Sequence, residues 1–502
     1  MKKKVLLIDV YYSSTRTPES ISVISKLTHK LWLRKLAKKK NIENLNKKNL
    51  LRMFSFGGHI PVTMGLLNIS SYLKNSLDKK NCYLIDYFHM GYYLEKYKNK
   101  AWDILRKKLK DTVLVGLSCS TPNFYNAIEI SSFIKKVDSS ILVVIGGHHV
   151  SFTDIETLKH PSIDLVVRGE GELSFLQIMD SLHTKNFTKV FGLTYRKNGK
   201  IKRNPDQKLL CGADFPSPDF SLIQKEFSDK FVISLSASRG CPFNCSFCLE
   251  TNFWSHHVRY KPITRFVSEI ELMIKRFKNG LIHISDSNFP VSKEYVSSLL
   301  SLLNKKNLKF CYSVNIRADL VNNLSVNDLR KMVNSGFKEF LVGVESASDK
   351  ILKRMNKKET FNDIIKALRK LKRANVPIVK TYWMLGFPGE TKKTLEESYN
   401  GLKFLIKEKL SDYAIIKLYL PYPGTSPFDN PRKFDFKILT KDWSQYERFS
   451  FPPPYSLKDV SNYELLSYLI MMNALQLHAF AKDLKITHKE LNNLLVQEIK
   501  NG

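Results

Sequence analysis

Phe231-Val232-Ile233-Ser234-Leu235-Ser236-Ala237-Ser238 runs without a break into Arg239-Gly240-Cys241-Pro242-Phe243-Asn244-Cys245-Ser246-Phe247-Cys248. The first eight residues read as a strand, and the next ten put three thiols on one loop at its carboxyl end. Five further strand candidates follow: Leu281 to Ser285, Phe310 to Ile316, Glu339 to Glu345, Val379 to Gly386 and Tyr413 to Leu420. Helical patterns such as Phe266, Ile270, Ile274 and Phe277 fill the gaps, so strand and helix alternate. Six such units over roughly 190 residues fall short of the eight units and about 250 residues of a closed barrel. This predicts an open, partial (β/α)6 barrel over residues 230–430.

Upstream, Val5 to Tyr12, Cys82 to Phe88, Val113 to Ser120, Ile141 to Gly147 and Leu165 to Gly169 are short apolar runs of the kind buried on both faces. Between them Val62, Leu66, Ile69 and Leu73 recur at helical spacing, which predicts an α/β, doubly wound (Rossmann-like) unit over residues 1–200. Such sheets bind ligands beyond the carboxyl ends of their strands. Pro205, Gly212, Pro216 and Pro218 mark a linker within 201–229, and residues 431–502 read as a helical C-terminal region.

The chain has 502 residues, 43% hydrophobic, with seven cysteines and a formal net charge of +33. It contains no uninterrupted apolar run long enough to span a membrane, and Asp9 ends the only apolar stretch near the start, so we expect no signal peptide and a cytoplasmic protein. Scattered cysteines argue against a disulfide framework. Lysines are spread along the whole chain, which speaks against a nucleic-acid partner. The segment Lys26 to Arg52, with Leu31, Leu33, Leu36 and Lys38-Lys39-Lys40, is expected to form a basic, solvated helix at the domain edge.

Three thiolates suit a four-iron cluster, holding three irons and leaving the fourth without a protein ligand, and an open position is what catalytic metal sites keep. Structural zinc competes, with His256 or His257 as a distant fourth ligand. The Cys-x3-Cys-x2-Cys spacing with Phe247 before the last cysteine resembles the radical-SAM superfamily. The resemblance implies a 4Fe-4S cluster on Cys241, Cys245 and Cys248, S-adenosylmethionine chelated at the open iron, and Phe247 near the adenine. It also implies cofactor contacts from strand ends: Asp286, Asn315, Arg317 to the methionyl carboxylate, Glu345 to the amino group or ribose, and Gly386. Pro421-Tyr422-Pro423-Gly424-Thr425 would shape the substrate end of the cavity.

Gly146-Gly147-His148 and Arg168-Gly169-Glu170-Gly171-Glu172 resemble the cobalamin-binding domain fused ahead of one large radical-SAM subgroup. By that resemblance Ser118, Gly146, Gly147, His148, Gly169, Glu170, Gly171 and Glu172 contact cobalamin. The cobalt-ligating pattern Asp-x-His-x-x-Gly is broken, because Asp86-Tyr87-Phe88-His89-Met90-Gly91 has Phe at the histidine position, so cobalt is expected to lack a histidine ligand. The resemblance as a whole implies a methyltransferase acting on an unreactive carbon of a small molecule or peptide, fed by a low-potential electron donor such as flavodoxin or ferredoxin. Rearrangement, cyclisation or oxidation without methyl transfer stands as the alternative, with RNA modification and a non-catalytic metal-binding role behind it.

Overall fold

The computed structural model describes residues 3–12, 19–38, 60–77, 83–223, 231–232, 234–277, 281–289, 292–308, 310–447 and 450–500. Cys82 and the lysine run beyond Lys38 lie outside them.

The first unit begins with β1 (Lys4–Asp9), every residue of which is buried, and α1 (Glu19–Leu36). There follow α2 (Met64–Ser76), β2 (Leu84–His89), β3 (Thr112–Ser118), α3 (Phe124–Val137), β4 (Leu142–Gly146), the short α4 (His148–Phe152), β5 (Leu165–Val167) and α5 (Glu172–Asp180). The sheet runs β2-β1-β3-β4-β5 in parallel and is extended antiparallel by the hairpin β6 (Leu193–Lys197) and β7 (Lys200–Arg203). This 2-1-3-4-5 order is a doubly wound topology, and its parallel strands are mostly apolar and buried because helices cover both faces.

The second unit is a six-stranded, all-parallel sheet in chain order: β8 (Ser234–Leu235), β9 (Ile282–Ile284), β10 (Tyr312–Ile316), β11 (Phe337–Glu345), β12 (Ile378–Leu385) and β13 (Tyr413–Leu418). Among the described residues β8 and β13 do not pair with each other, so the barrel is open. Its outer helices show why they form. In α6 (Phe361–Arg373), Thr360 and Asp363 cap each other's backbone N–H groups, and Ile364, Ala367, Leu368 and Leu371 recur on one buried face.

The linker packs on the first unit: Phe215 and Phe220 are buried, and Asp219 accepts hydrogen bonds from Ser70 (2.8 Å) and Lys74 (2.6 Å) on α2. One sequence expectation changes: α1 is not a solvated helix. Leu31, Trp32, Leu33 and Leu36 are buried against the C-terminal helices α7 (Asn462–Asp483) and α8 (His488–Lys500), with Lys35 pairing Asp483 at 2.5 Å. An apolar surface that wide marks a helix enclosed on more than one side.

Candidate functional site: a cleft between two units

The cysteine loop is pinched at its root, where Ser238 and Arg239 pair antiparallel with Tyr260 and Arg259. Gly240 sits in the pinch with φ near +100°, and a Cβ there would stand 1.9 Å from the carbonyl oxygen of His257, so no side chain fits. Farther round, Ser246 N donates to Met355 O (2.9 Å) and Asn356 Nδ2 to Asn244 O (2.6 Å), tying the loop to the segment after β11. Cys241 and Cys245 are buried and Cys248 is half-buried. Burial raises all three thiols, Cys248 up to about 12, so iron must displace their protons on binding.

Among the described residues no three or more His, Cys, Asp or Glu side chains converge as a single metal ion requires. A cubane asks for something else, since each thiolate takes a different iron. Three thiols on one clamped loop, two buried and one half-buried, that do not converge on one point fit a cluster better than zinc.

Beside them Arg317 donates from Nη1 to Cys245 Sγ (3.3 Å) and lies on the Phe243 ring at 3.9 Å. Its Nη2 donates to Asp319 (2.9 Å) and to Lys357 O (2.6 Å). Glu345 is half-buried at a positive φ of 65°, its carboxyl raised by burial, with Lys357 Nζ 3.8 Å away. Lys357 and Glu359, 3.2 Å apart and buried, complete this charged floor and carried no sequence signal.

The other residues expected to contact the cofactor have partners within the chain. Both carboxylate oxygens of Asp286 are taken inside the chain, by Ala237 N (2.7 Å) and Ser238 Oγ (2.6 Å), while burial pushes its carboxyl up to about 6. Asn315 Nδ2 approaches Asp286 O at 3.4 Å. The close approach at Gly386, φ +86°, is made by Tyr455, whose hydroxyl would lie 2.4 Å from a Cβ. Phe247 packs at the edge of an apolar cluster that includes Tyr419 and Tyr455.

The cobalamin candidates assemble in one place. Ser118, Gly146, Gly147, His148, Gly169, Glu170, Gly171 and Glu172 all line a single cavity of about 340 Å³ beyond the carboxyl ends of β3, β4 and β5. Its opposite wall comes from the second unit and includes Ser238, Arg239, Gly240, Glu250, Trp254 and Ser287. The cavity lies within the size range of cofactor clefts. A Cβ built on Gly169 meets no atom within 4 Å, so the space beside it is open.

Two of the expected contacts are committed elsewhere. Glu170 pairs with Arg239 (2.7 Å) and Arg259 (2.8 Å), and Glu172 with Arg239 (2.7 Å), all four side chains being at most 12% exposed. This buried clasp joins the strand-end turn of the first unit to the root of the cysteine loop. Glu250, two residues past Cys248, stands at the join and accepts from Trp254 Nε1 (2.7 Å) and Ser287 Oγ (2.7 Å) of its own unit. Across the join, His148 Nε2 stands 3.3 Å from Glu250 Oε1 without the alignment of a hydrogen bond. Burial would raise the Glu250 carboxyl, but these partners bring it down to about 2. Asn252 Nδ2 donates to Gly424 O (2.6 Å), so the Pro421 to Thr425 turn closes on the same wall. His89 is outside the cavity lining, accepting from Tyr92 N (3.1 Å) as the cap of a helix, and Phe88 stacks on Tyr93. Among the described residues His148 is the only histidine that lines the cavity.

The family model described as the radical SAM superfamily matches residues 235–402, and that of the B12 binding domain matches residues 58–179. The chain carries a radical-SAM domain and a B12-binding domain. This radical-SAM protein is 28% identical over 368 residues to an uncharacterised methyltransferase of Pyrococcus horikoshii, covering 72% of this chain and 77% of that one. It is 27% identical over 413 residues to the anaerobic magnesium-protoporphyrin IX monomethyl ester cyclase of Rubrivivax gelatinosus, covering 78% and 71%. Among solved structures it resembles the cobalamin-dependent S-adenosylmethionine radical enzyme OxsB with aqua-cobalamin and S-adenosylmethionine bound, with a TM-score of 0.66 and 17% identity over 93% of this chain and 66% of that one. The radical-SAM protein is therefore an enzyme whose cofactors are a 4Fe-4S cluster, S-adenosylmethionine and cobalamin.

Proposed function

We propose that the protein is a methyltransferase that transfers a methyl group to an unactivated carbon of a small molecule or peptide. The observation that carries this is the shared cavity: the residues expected to face cobalamin form one wall, and the root of the cysteine loop forms the other. When bound, the cofactors supply the chemistry, a radical from S-adenosylmethionine at the cluster and a methyl group carried on cobalamin. The chain's part is placement. Cys241, Cys245 and Cys248 would hold the cluster on a loop that the Ser246 and Asn356 hydrogen bonds keep fixed. Gly146, Gly147, Gly169 and Gly171 would leave room for the corrin, while the Glu170 and Glu172 clasp holds the two walls together. Reduction calls for a low-potential donor such as flavodoxin or ferredoxin. Among the described residues no helix is long and apolar enough to cross a membrane.

A second reading, ring closure or oxidation without methyl transfer, is favoured by the likeness to the Rubrivivax cyclase. Methyl-deuterated S-adenosylmethionine separates the two. Methyl transfer consumes two molecules of S-adenosylmethionine per turnover, yielding one 5′-deoxyadenosine, one S-adenosylhomocysteine and a deuterated product. Deoxyadenosine and product formed without S-adenosylhomocysteine or label would reject the methyltransferase.

A further inference from the structure

Arg317 was expected to clamp the methionyl carboxylate, yet its guanidinium is already committed. Nε is held by both oxygens of Asp319 at 3.2 Å, and Nη2 by Asp319 at 2.9 Å and Lys357 O at 2.6 Å. The face of the fork rests on Phe243 at 3.9 Å, and the residue is only 8% exposed. What remains is Nη1, which points at Cys245 Sγ from 3.3 Å. A second buried cation, Lys357, stands behind it, between Glu345 (3.8 Å) and Glu359 (3.2 Å).

We propose that Arg317, backed by Lys357, sets the reduction potential of the iron-sulfur cluster by donating an N–H···S hydrogen bond to the Cys245 thiolate. The inference rests on the reading of Cys241, Cys245 and Cys248 as the cluster ligands. Reduction places one more electron on a buried, already anionic group, with no bond made or broken. A charged donor in contact with a ligand sulfur stabilises the more negative state and raises the potential. Asp319, Glu359 and Glu345 oppose this electrostatically, but they do not touch the sulfur, and Asp319 grips the guanidinium in the orientation that aims Nη1 at it. Attraction falls with distance, so the donor in contact outweighs the carboxylates behind it. The arrangement makes Arg317 a tuning residue for the electron-accepting step.

The test uses full-length protein reconstituted anaerobically with iron and sulfide, poised at set potentials with titanium(III) citrate and mediators, and read by electron resonance without S-adenosylmethionine. Arg317→Gln should bind as much iron as the parent but show a roughly tenfold smaller ratio of reduced to oxidised cluster at a given potential, a shift of about 59 mV for one electron. Arg317→Lys, which keeps the charge without the fork, should fall between the two. An unchanged potential in Arg317→Gln, with weakened binding of S-adenosylmethionine, would overturn the proposal and restore the carboxylate clamp. Should Arg317→Gln fail to assemble a cluster, Phe243→Leu decides: it keeps every charge but removes the guanidinium's support, and a potential identical to the parent would overturn the proposal. Parent protein that binds zinc in place of iron would overturn the cluster reading itself.

Discussion

The cobalamin-side wall of the cavity and the floor beneath the cysteine loop are built on opposite plans. The cobalamin-side wall is made of strand-end turns stripped of bulk, Ser118, Gly146, Gly147, Gly169 and Gly171, with its two carboxylates drawn aside into the clasp. The barrel-side floor is crowded and charged, with Arg317, Lys357, Glu345 and Glu359 packed beneath a loop that hydrogen bonds hold at both ends. A large planar ligand needs cleared space and tolerates loose edges, whereas three thiolates must meet three irons in one geometry. The wall is shaped by what is absent, the floor by what is fixed.

The sharpest way to break this contrast is to remove a thiol. Cys241→Ser, Cys245→Ser or Cys248→Ser should abolish the iron-sulfur resonance and the cleavage of S-adenosylmethionine, while cobalamin still binds to the opposite wall. The same change at Cys82, Cys119, Cys211 or Cys311 should leave the iron content intact, as measured by iron analysis and electron resonance.

Breaking the clasp tests whether the walls are held together by charge. Glu170→Gln leaves Arg239 and Arg259 buried without their shared carboxylate, and removing one partner from a buried ion cluster costs about 3–5 kcal/mol. Urea unfolding should show that loss, and limited proteolysis should cut the Arg203 to Phe220 segment faster than in the parent.

The barrel side should also carry a pH signature. Glu390, fully buried beneath Gly386, whose N–H it accepts at 2.7 Å, has its carboxyl pushed up to about 8 by burial. The folded state then holds a proton that the unfolded chain, with its ordinary value of 4.5, has released. Stability from this group is therefore complete below pH ~4.5 and is lost as pH rises toward 8, by roughly 1.4 kcal/mol per unit. Glu390→Gln should flatten the slope between pH 5 and ~8 in chemical unfolding, since the amide still accepts from Gly386.

The smallest effect is expected at His89. Because it caps a helix away from the cavity, His89→Ala should leave the absorption spectrum of bound cobalamin unchanged.

Much of this was legible in the chain itself, for reasons that differ by element. The eleven strand candidates were apolar runs, and each became a strand or part of one, because burial on both faces leaves little freedom in composition. The β6–β7 hairpin was missed although Asn198-Gly199 is a turn signal, since β7 is a polar, exposed edge strand and β6 is short and mixes apolar with polar residues. The glycines flanking the cavity could be read because open space has a local signature. Glu170 and Glu172 could not, because their partners lie 67 to 89 residues away and nothing nearby marks the pairing. The same holds for Asp286 and Lys357, whose roles depend on which neighbours the barrel brings beside them. For α1, the apolar positions were visible but not the helices that cover them.

That packing of α1 has a consequence for how the protein is made. The helix leaves the ribosome more than 400 residues before α7, which covers it. At ~5–20 residues per second its apolar side waits roughly 20 to 85 seconds for a partner. Through that interval Leu31, Trp32 and Leu36 are a natural handle for a holding chaperone, and the nascent chain is most prone to aggregate before its last helices emerge.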